Sequence, residues 1–197
     1  RSTGRFGVDI ARQASRRGAR TILVAANVAG DLLAGTPAEV RTVESAADMH
    51  AAIDAAAREA DVVVMAAAVA DYRPAAYERT KQKKGASSAR VLELVENPDI
   101  LADLSRRRRR EGQTVVGFAA ETGDDSATAW EHGRAKAIRK GSDLTVVNRV
   151  GDAAGFGDVD TAIAIVDGTG ATVAEARGSK AELAGIILDA ISAWRTH

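Results

Sequence analysis

Asp61-Val62-Val63-Val64-Met65-Ala66-Ala67 is a short apolar run, rich in valine and closing in small residues. A run of this kind suits a parallel strand buried on both faces. Upstream, Thr21–Ala26 is a second unbroken apolar run and Val40–Val43 a short third one, with Ser45 placed to cap a helix through Ala57. The order is β-α-β-α-β, which implies a parallel sheet with helices on both faces. Small side chains where a strand ends let a flat ligand lie against the backbone, and in open α/β sheets ligands bind at the carboxyl ends of strands.

Beyond that end come Asp71, then Lys81, Lys83 and Lys84, then Asn97-Pro98. This set suits a polyanion with a divalent cation; a polar loop between two strands explains the same residues. Tyr72–Ala89 has no usable periodicity and predicts irregular chain, as functional segments often are. Arg90–Val95 alternates polar and apolar residues and predicts a strand. Asn97-Pro98-Asp99 predicts a helix start with Asn as the cap and Pro in the first turn.

At the amino end, Ser2-Thr3-Gly4 opens a helix running to about Gly18, whose free N–H groups suit a phosphate or mark an ordinary cap. Arg106–Arg110 is five consecutive arginines at a helix end, favourable for the dipole and read as a solvated end rather than a nucleic-acid patch. Gln113–Ala119 predicts a buried strand and Ser126–Lys140 a helix on which Lys136 and Lys140 share one face, either solvated or ligand-binding. Asp143–Val147 is a further strand, followed by a Gly/Asp-rich loop to Gly157. Thr161–Asp167 and Ala171–Glu175 flank Gly168-Thr169-Gly170 as a hairpin, and Ser179 caps a closing helix that ends near Trp194. The predicted fold is therefore α/β, a Rossmann-like three-layer arrangement with a mainly parallel sheet and a C-terminal β-hairpin plus helix, in one domain over residues 1–197.

Composition narrows the function classes. The 197 residues suffice for a core, 46% hydrophobic but only 4% aromatic, so the core is built from Ala, Val, Leu and Ile. Lys+Arg and Asp+Glu both count 27, which argues against a general nucleic-acid binder. No apolar stretch approaches the roughly 18 residues of a membrane span, and no secretory signal pattern is present at the amino end. The absence of cysteine excludes disulfides and thiolate metal sites and fits a cytoplasmic protein. His50, His132 and His197 lack metal-ligand spacing. Neither a Gly-x-Ser-x-Gly elbow, a Gly-x-Gly-x-x-Gly fingerprint nor a P-loop occurs.

Ala66-Ala67-Ala68-Val69-Ala70-Asp71-Tyr72, Lys81-x-Lys83-Lys84, Asn97-Pro98-Asp99-Ile100 and Val116-Gly117-Phe118-Ala119-Ala120-Glu121-Thr122 occur in this order. Together they resemble bacterial phosphopantothenate–cysteine ligase, the CTP-dependent half of the bifunctional coenzyme A biosynthesis protein, from Arg1 to about Ala193. The resemblance implies ligation of 4′-phosphopantothenate with L-cysteine through an acyl-cytidylate. It implies a CTP site comprising Ser2, Gly4, Met65, Ala66, Ala67, Asp71, Lys81, Asn97, Pro98, Asp99, Ile100, Phe118, Lys136 and Lys140. Asp71 would act at the ribose-triphosphate or through Mg²⁺, and Lys81 would neutralise the triphosphate or the charge developing during activation. A homodimer or larger assembly is implied, with the loop near Lys81 and the Arg90–Val95 strand close to the partner, no nucleic acid and no membrane. An FMN-dependent decarboxylase is usually fused upstream, FMN belonging to that half. A first strand, glycine-rich turn and asparagine used by the family precede the stretch matching Arg1, and the lack of an initiator Met fits an excised half. The rival readings are an NAD(P)-dependent Rossmann reductase and a non-enzymatic dimerisation or binding module.

Overall fold

The computed structural model describes residues 2–76, 80, 91–150 and 160–196. In chain order the elements are α1 (Arg5–Arg16), β1 (Ile22–Ala26), α2 (Gly30–Leu33), β2 (Glu39–Val43), α3 (Ala46–Ala57), β3 (Val62–Met65), β4 (Tyr72–Pro74) and β5 (Leu94–Glu96). They continue with α4 (Ile100–Arg106), β6 (Thr114–Glu121), α5 (Ala129–Lys140), β7 (Leu144–Arg149), β8 (Thr161–Asp167), β9 (Thr172–Gly178) and α6 (Lys180–Arg195).

The main sheet has five strands in the order β3-β6-β7-β8-β9. Strands β3, β6 and β7 run parallel, whereas β8 and β9 return antiparallel as the expected terminal hairpin. Strands β1 and β2 pair parallel in a ladder of their own, so the predicted β-α-β-α-β alternation holds while its single sheet divides in two. Side chains span the division: Val24, Ala26 and Val43 pack on the cluster of Val63 and Met65 without ladder bonds between β1 and β3.

Both faces of the main sheet are covered. On one, Ile10 of α1 and Leu183, Ile187 and Ile191 of α6 pack on Val116, Leu144, Val146, Ile163 and Ile165. On the other, Met49 and Ala57 of α3 and Leu104 of α4 pack on Val63, Met65 and Val115, and α5 lies on Ala119, Val147 and Val166. The strand alternation that sends Val116 to one face and Val115 to the other is the period of two in its simplest form. Capping boxes start three helices: Ser45 with Asp48, Thr128 with Glu131, and Ser179 with Glu182.

Four local expectations are corrected. Tyr72–Pro74, expected to be irregular, is a strand paired antiparallel with β5. The strand expected over Arg90–Val95 is confined to Leu94–Glu96, where β4 offers backbone partners; Val91–Glu93 is not strand and Arg90 lies outside the described residues. The cap of α4 is Asp99, whose carboxylate accepts from Ala102 N, because the Asn97 side chain is committed elsewhere. Helix α5 starts at Ala129 rather than Ser126, since Asp124 takes the N–H groups of Ser126 and Ala127 into a turn of its own.

The arginine run is solvated only in part: Arg106, Arg107 and Arg110 stay exposed as expected, while Arg108 and Arg109 are drawn inward. Arg107 pairs with Asp103, Arg108 with Asp143 and Arg110 with Asp61, while Arg109 is inserted between Asp54 of α3 and Asp103 of α4. Side chains of Arg109 and Asp103 are only 12% and 14% exposed, so this pairing escapes the screening that makes most surface ion pairs weak. The guanidinium groups of Arg107 and Arg109 hold the Asp103 carboxyl far below the usual carboxylate range. A depressed folded-state pKa gives stability that is present above the unfolded value near 4 and lost as the pH falls below it. Asp103→Asn leaves Arg109 with one carboxylate fewer and should cost about 2 kcal/mol at pH 7. Urea midpoints at pH 7 and pH 3 check this: the gap between parent and variant should narrow at the lower pH, and an unchanged gap would refute it.

Candidate functional site

Strands β3, β6 and β7 run the same way and end at one edge of their sheet. The first turn of α1 comes to that edge, where a Cβ built on Gly7 would lie 3.8 Å from Ala66. Gly4 is the N-cap of α1, with φ 80° and no side-chain capping bond. A side chain at Gly4 would be strained in φ and would meet Val28 Cγ2 at 2.6 Å. Ser2 Oγ accepts weakly from Gly4 N at 3.4 Å.

After β3 the chain turns back through Ala66–Asp71, and Asn97 holds this turn in place. Asn97 Nδ2 donates to Ala70 O at 2.9 Å and Asn97 N to Asp71 O at 2.7 Å. Arg73 donates to Asn97 Oδ1 at 3.2 Å and to Glu96 O, so both functional atoms of the Asn97 amide are engaged within the protein. Pro98 follows, and Asp99 then opens α4. Of its two oxygens, Oδ1 caps Ala102 N at 3.1 Å and Oδ2 takes the ammonium of Lys140. Partial burial pulls the Asp99 carboxyl up, but the bonds from Lys140 and Ala102 and the charges of Lys140 and Arg106 outweigh it and hold it below its ordinary value.

Lys136, one turn before Lys140 on α5, donates to Glu121 Oε1 at 3.0 Å, at the last position of β6. Neither lysine is on a solvated face. The sheet edge thus gathers the Ala66–Asp71 turn, Asn97–Asp99, Lys140, Lys136 and Glu121 into one run of contacts. Met65 and Ile100 belong to the core, 6% and 3% exposed, and offer backbone rather than side chain. Phe118 is turned to the opposite face from Glu121, its ring 5.7 Å from Phe6 of α1, so its ring is not brought to the lysines. Lys81, Lys83 and Lys84 lie outside the described residues.

The Asp71 side chain is exposed and has no bonding partner among the described residues. No cluster of three metal-ligating side chains occurs among them either. One open carboxylate fits Mg²⁺ held jointly with phosphate oxygens and water, and does not fit an all-protein cage. Sequence reasoning passed over Glu121 and Arg73 as site residues. A signal for Glu121 existed: Lys136 has no acid three or four residues away on its own helix. Asn27 at the end of β1, with φ 54°, is the one non-glycine residue with positive φ among those described, and nothing in the sequence announced it.

The depth at which α5 lies on β7 sets where both lysines sit. A Cβ on Gly133 would fall 2.3 Å from Val147 Cγ1, closer than any repacking of a fixed backbone permits. Gly133→Ala gains about 1 kcal/mol of helix propensity but overpacks the α5–β7 contact by up to about 3 kcal/mol. Net destabilisation of about 2 kcal/mol should follow, with Gly133→Ala/Val147→Ala losing less than the sum of the single variants in denaturant titrations; strict additivity would mean that Val147 does not set the spacing.

Fold and edge define an α/β domain with a parallel-sheet edge as its candidate site, and comparison with known proteins gives it a family. Residues 1–194 match the DNA/pantothenate metabolism flavoprotein C-terminal domain, and the chain belongs to that family. The coenzyme A biosynthesis bifunctional protein CoaBC of Mycolicibacterium smegmatis is 42% identical over 98% of this chain and 48% of its own length. That of Mycobacterium tuberculosis is 44% identical over 97% and 46%. The chain therefore spans about half the length of these relatives. The solved C-terminal domain of a CoaBC protein superposes with a TM-score of 0.71 at 31% identity, covering 97% of this chain and 84% of that one. A flavoprotein from Streptococcus pneumoniae, 18% identical with a TM-score of 0.75, shares the fold.

Proposed function

We propose that this chain is a CTP-dependent phosphopantothenate–cysteine ligase domain, acting in the cytoplasm in coenzyme A biosynthesis. What carries the reading is the convergence of three motif segments, Ala66–Asp71, Asn97–Ile100 and Lys136/Lys140, on one sheet edge, in a chain whose relatives are named for that pathway. The glycine fingerprint of a nicotinamide reductase is absent from the sequence.

A carboxylate resists attack by an amine because its leaving group is poor. In the proposed first step a carboxylate oxygen of 4′-phosphopantothenate attacks the α-phosphorus of CTP, and the bond to pyrophosphate breaks. In the second, the cysteine amine attacks the acyl carbon, the bond to CMP breaks and the amine proton is released. The chain's contribution is placement and charge balance. Backbone groups of Met65, Ala66 and Ala67, beside Phe118, face the base, while Ser2 and Gly4 offer the open N–H groups of α1 to a phosphate. Asn97 and Pro98 fix the turn against which the nucleotide lies, with Asp99 and Ile100 anchoring α4 beside it. Lys81 neutralises the triphosphate or the developing charge, and Lys136 and Lys140 complete the site. Asp71 would hold Mg²⁺, which supplies charge neutralisation at phosphate oxygens when bound. The reading assigns FMN to a fused decarboxylase half and not to this chain.

Ligand-linked stabilisation separates the readings. With Mg²⁺, CTP at a hundredfold excess over its dissociation constant should stabilise the protein by about 2.7 kcal/mol, more than ATP or NADPH at equal concentration in thermal unfolding. A larger shift with NADPH would sink the ligase reading.

The β4–β5 arm bears on assembly. Val91 is 97% and Leu92 67% exposed, with Tyr72 and Leu94 also exposed beside them. An apolar patch on a two-stranded arm asks for cover, and a second copy of the chain is the proposed occupant. Light scattering at micromolar concentration should give a dimer or larger assembly, and Leu92→Asp should lower the mass towards the monomer; a monomeric parent contradicts the proposal.

A further inference from the structure

Lys136 depends on a partner from outside its helix. One turn before it stand His132 and Gly133, one turn after it Arg139 and Lys140, so every charged neighbour on α5 at that spacing repels or is at best neutral to an ammonium. Glu121 supplies the missing carboxylate from β6, at 3.0 Å, with side chains 20% exposed for the glutamate and 34% for the lysine. Glu121 is itself well anchored: it pairs with Arg149 in the β6–β7 ladder, and its carbonyl accepts from Val150 N. An ammonium has three donors on a flexible four-carbon stem. The carboxylate takes one donor, immobilises the stem and leaves two donors for an anion.

We propose that Glu121 is a positioning residue for polyphosphate binding, holding Lys136 at the sheet edge so that an incoming triphosphate meets an ammonium already in place. The inference rests on the ligase reading for the identity of the ligand and goes beyond it in assigning this residue and its role. Lys140 is held in the same manner by Asp99, but Asp99 also caps α4, so only the Glu121–Lys136 pair tests positioning apart from helix capping.

The experiment is a double-mutant cycle read by calorimetry, with inorganic tripolyphosphate and CTP as separate probes and Mg²⁺ present. Glu121→Ala frees the lysine stem and should weaken tripolyphosphate binding about fivefold, the usual scale for ordering one long side chain. Glu121→Gln keeps an acceptor for the Lys136 ammonium and should stay within about twofold of the parent. In the Lys136→Met background, Glu121→Ala should have no further effect. Tighter binding in both Glu121 variants would show that the carboxylate merely repels anions, and an equal loss with and without Lys136 would show a general structural role; either overturns the proposal. Coupling with tripolyphosphate but no preference for CTP over ATP would sink the ligase reading and leave the positioning role standing. CTP preference without coupling would do the reverse, and a parent that binds neither probe refutes both.

Discussion

The hydrogen bond from Asn97 Nδ2 to Ala70 O is the contact on which the candidate site depends. Parallel strands end together, and the chain leaving β3 has to cross that edge without filling it. Asn97 pins the crossing turn by two bonds, one from its side chain and one from its own N–H to Asp71 O. Arg73 in turn steadies the amide, so the position of the turn is set jointly by the β4–β5 arm and by the start of α4. Everything assigned to nucleotide binding on that side of the edge is measured from this clasp.

Charge is distributed by the same logic. A chain with equal numbers of acids and bases can leave them dispersed, or can bring them inward in pairs. Here the arginines after α4 reach Asp54, Asp61, Asp103 and Asp143 and fasten α3, α4 and the entry to β7 together. Lys136 and Lys140 join carboxylates on two other elements. The Arg109–Asp103 pair, with low exposure on both sides, requires good geometry to offset desolvation, and the geometry comes from the short connections that flank it. Gln113 does comparable work without charge, its amide donating to Ala57 O and Ala60 O to close the end of α3.

Periodicity made the layered architecture, the terminal hairpin and most helix boundaries readable from residues alone. Where it stopped being informative, the missing quantity was mostly a partner remote in sequence, the local Asp124 turn before α5 being the exception. Tyr72–Pro74 has no strand pattern of its own and becomes one because Leu94–Glu96 lies beside it. Asn97 has the composition of a cap, yet Ala70 O competes successfully for its amide and the cap passes to Asp99. Arg109 reads as solvated like its neighbours for as long as Asp54 and Asp103 are unknown partners. The resemblance singled out the Asn97–Ile100 and Lys136/Lys140 segments, which the Asp99–Lys140 contact joins, because resemblance carries spatial information that local propensity lacks. It had no means of showing that the Phe118 ring is turned towards Phe6.

Asp99 carries two obligations on one carboxylate, the first turn of α4 and the ammonium of Lys140. Each simple replacement keeps one and loses the other: a neutral isostere keeps a cap and removes the counter-charge of the lysine, and a longer acid reaches the lysine and misplaces the cap. The start of α4 and the hold on Lys140 are therefore kept together only by an acid of this length. A change at residue 99 that preserves both contacts needs a second residue to change in step, so divergence between relatives should come there in linked pairs.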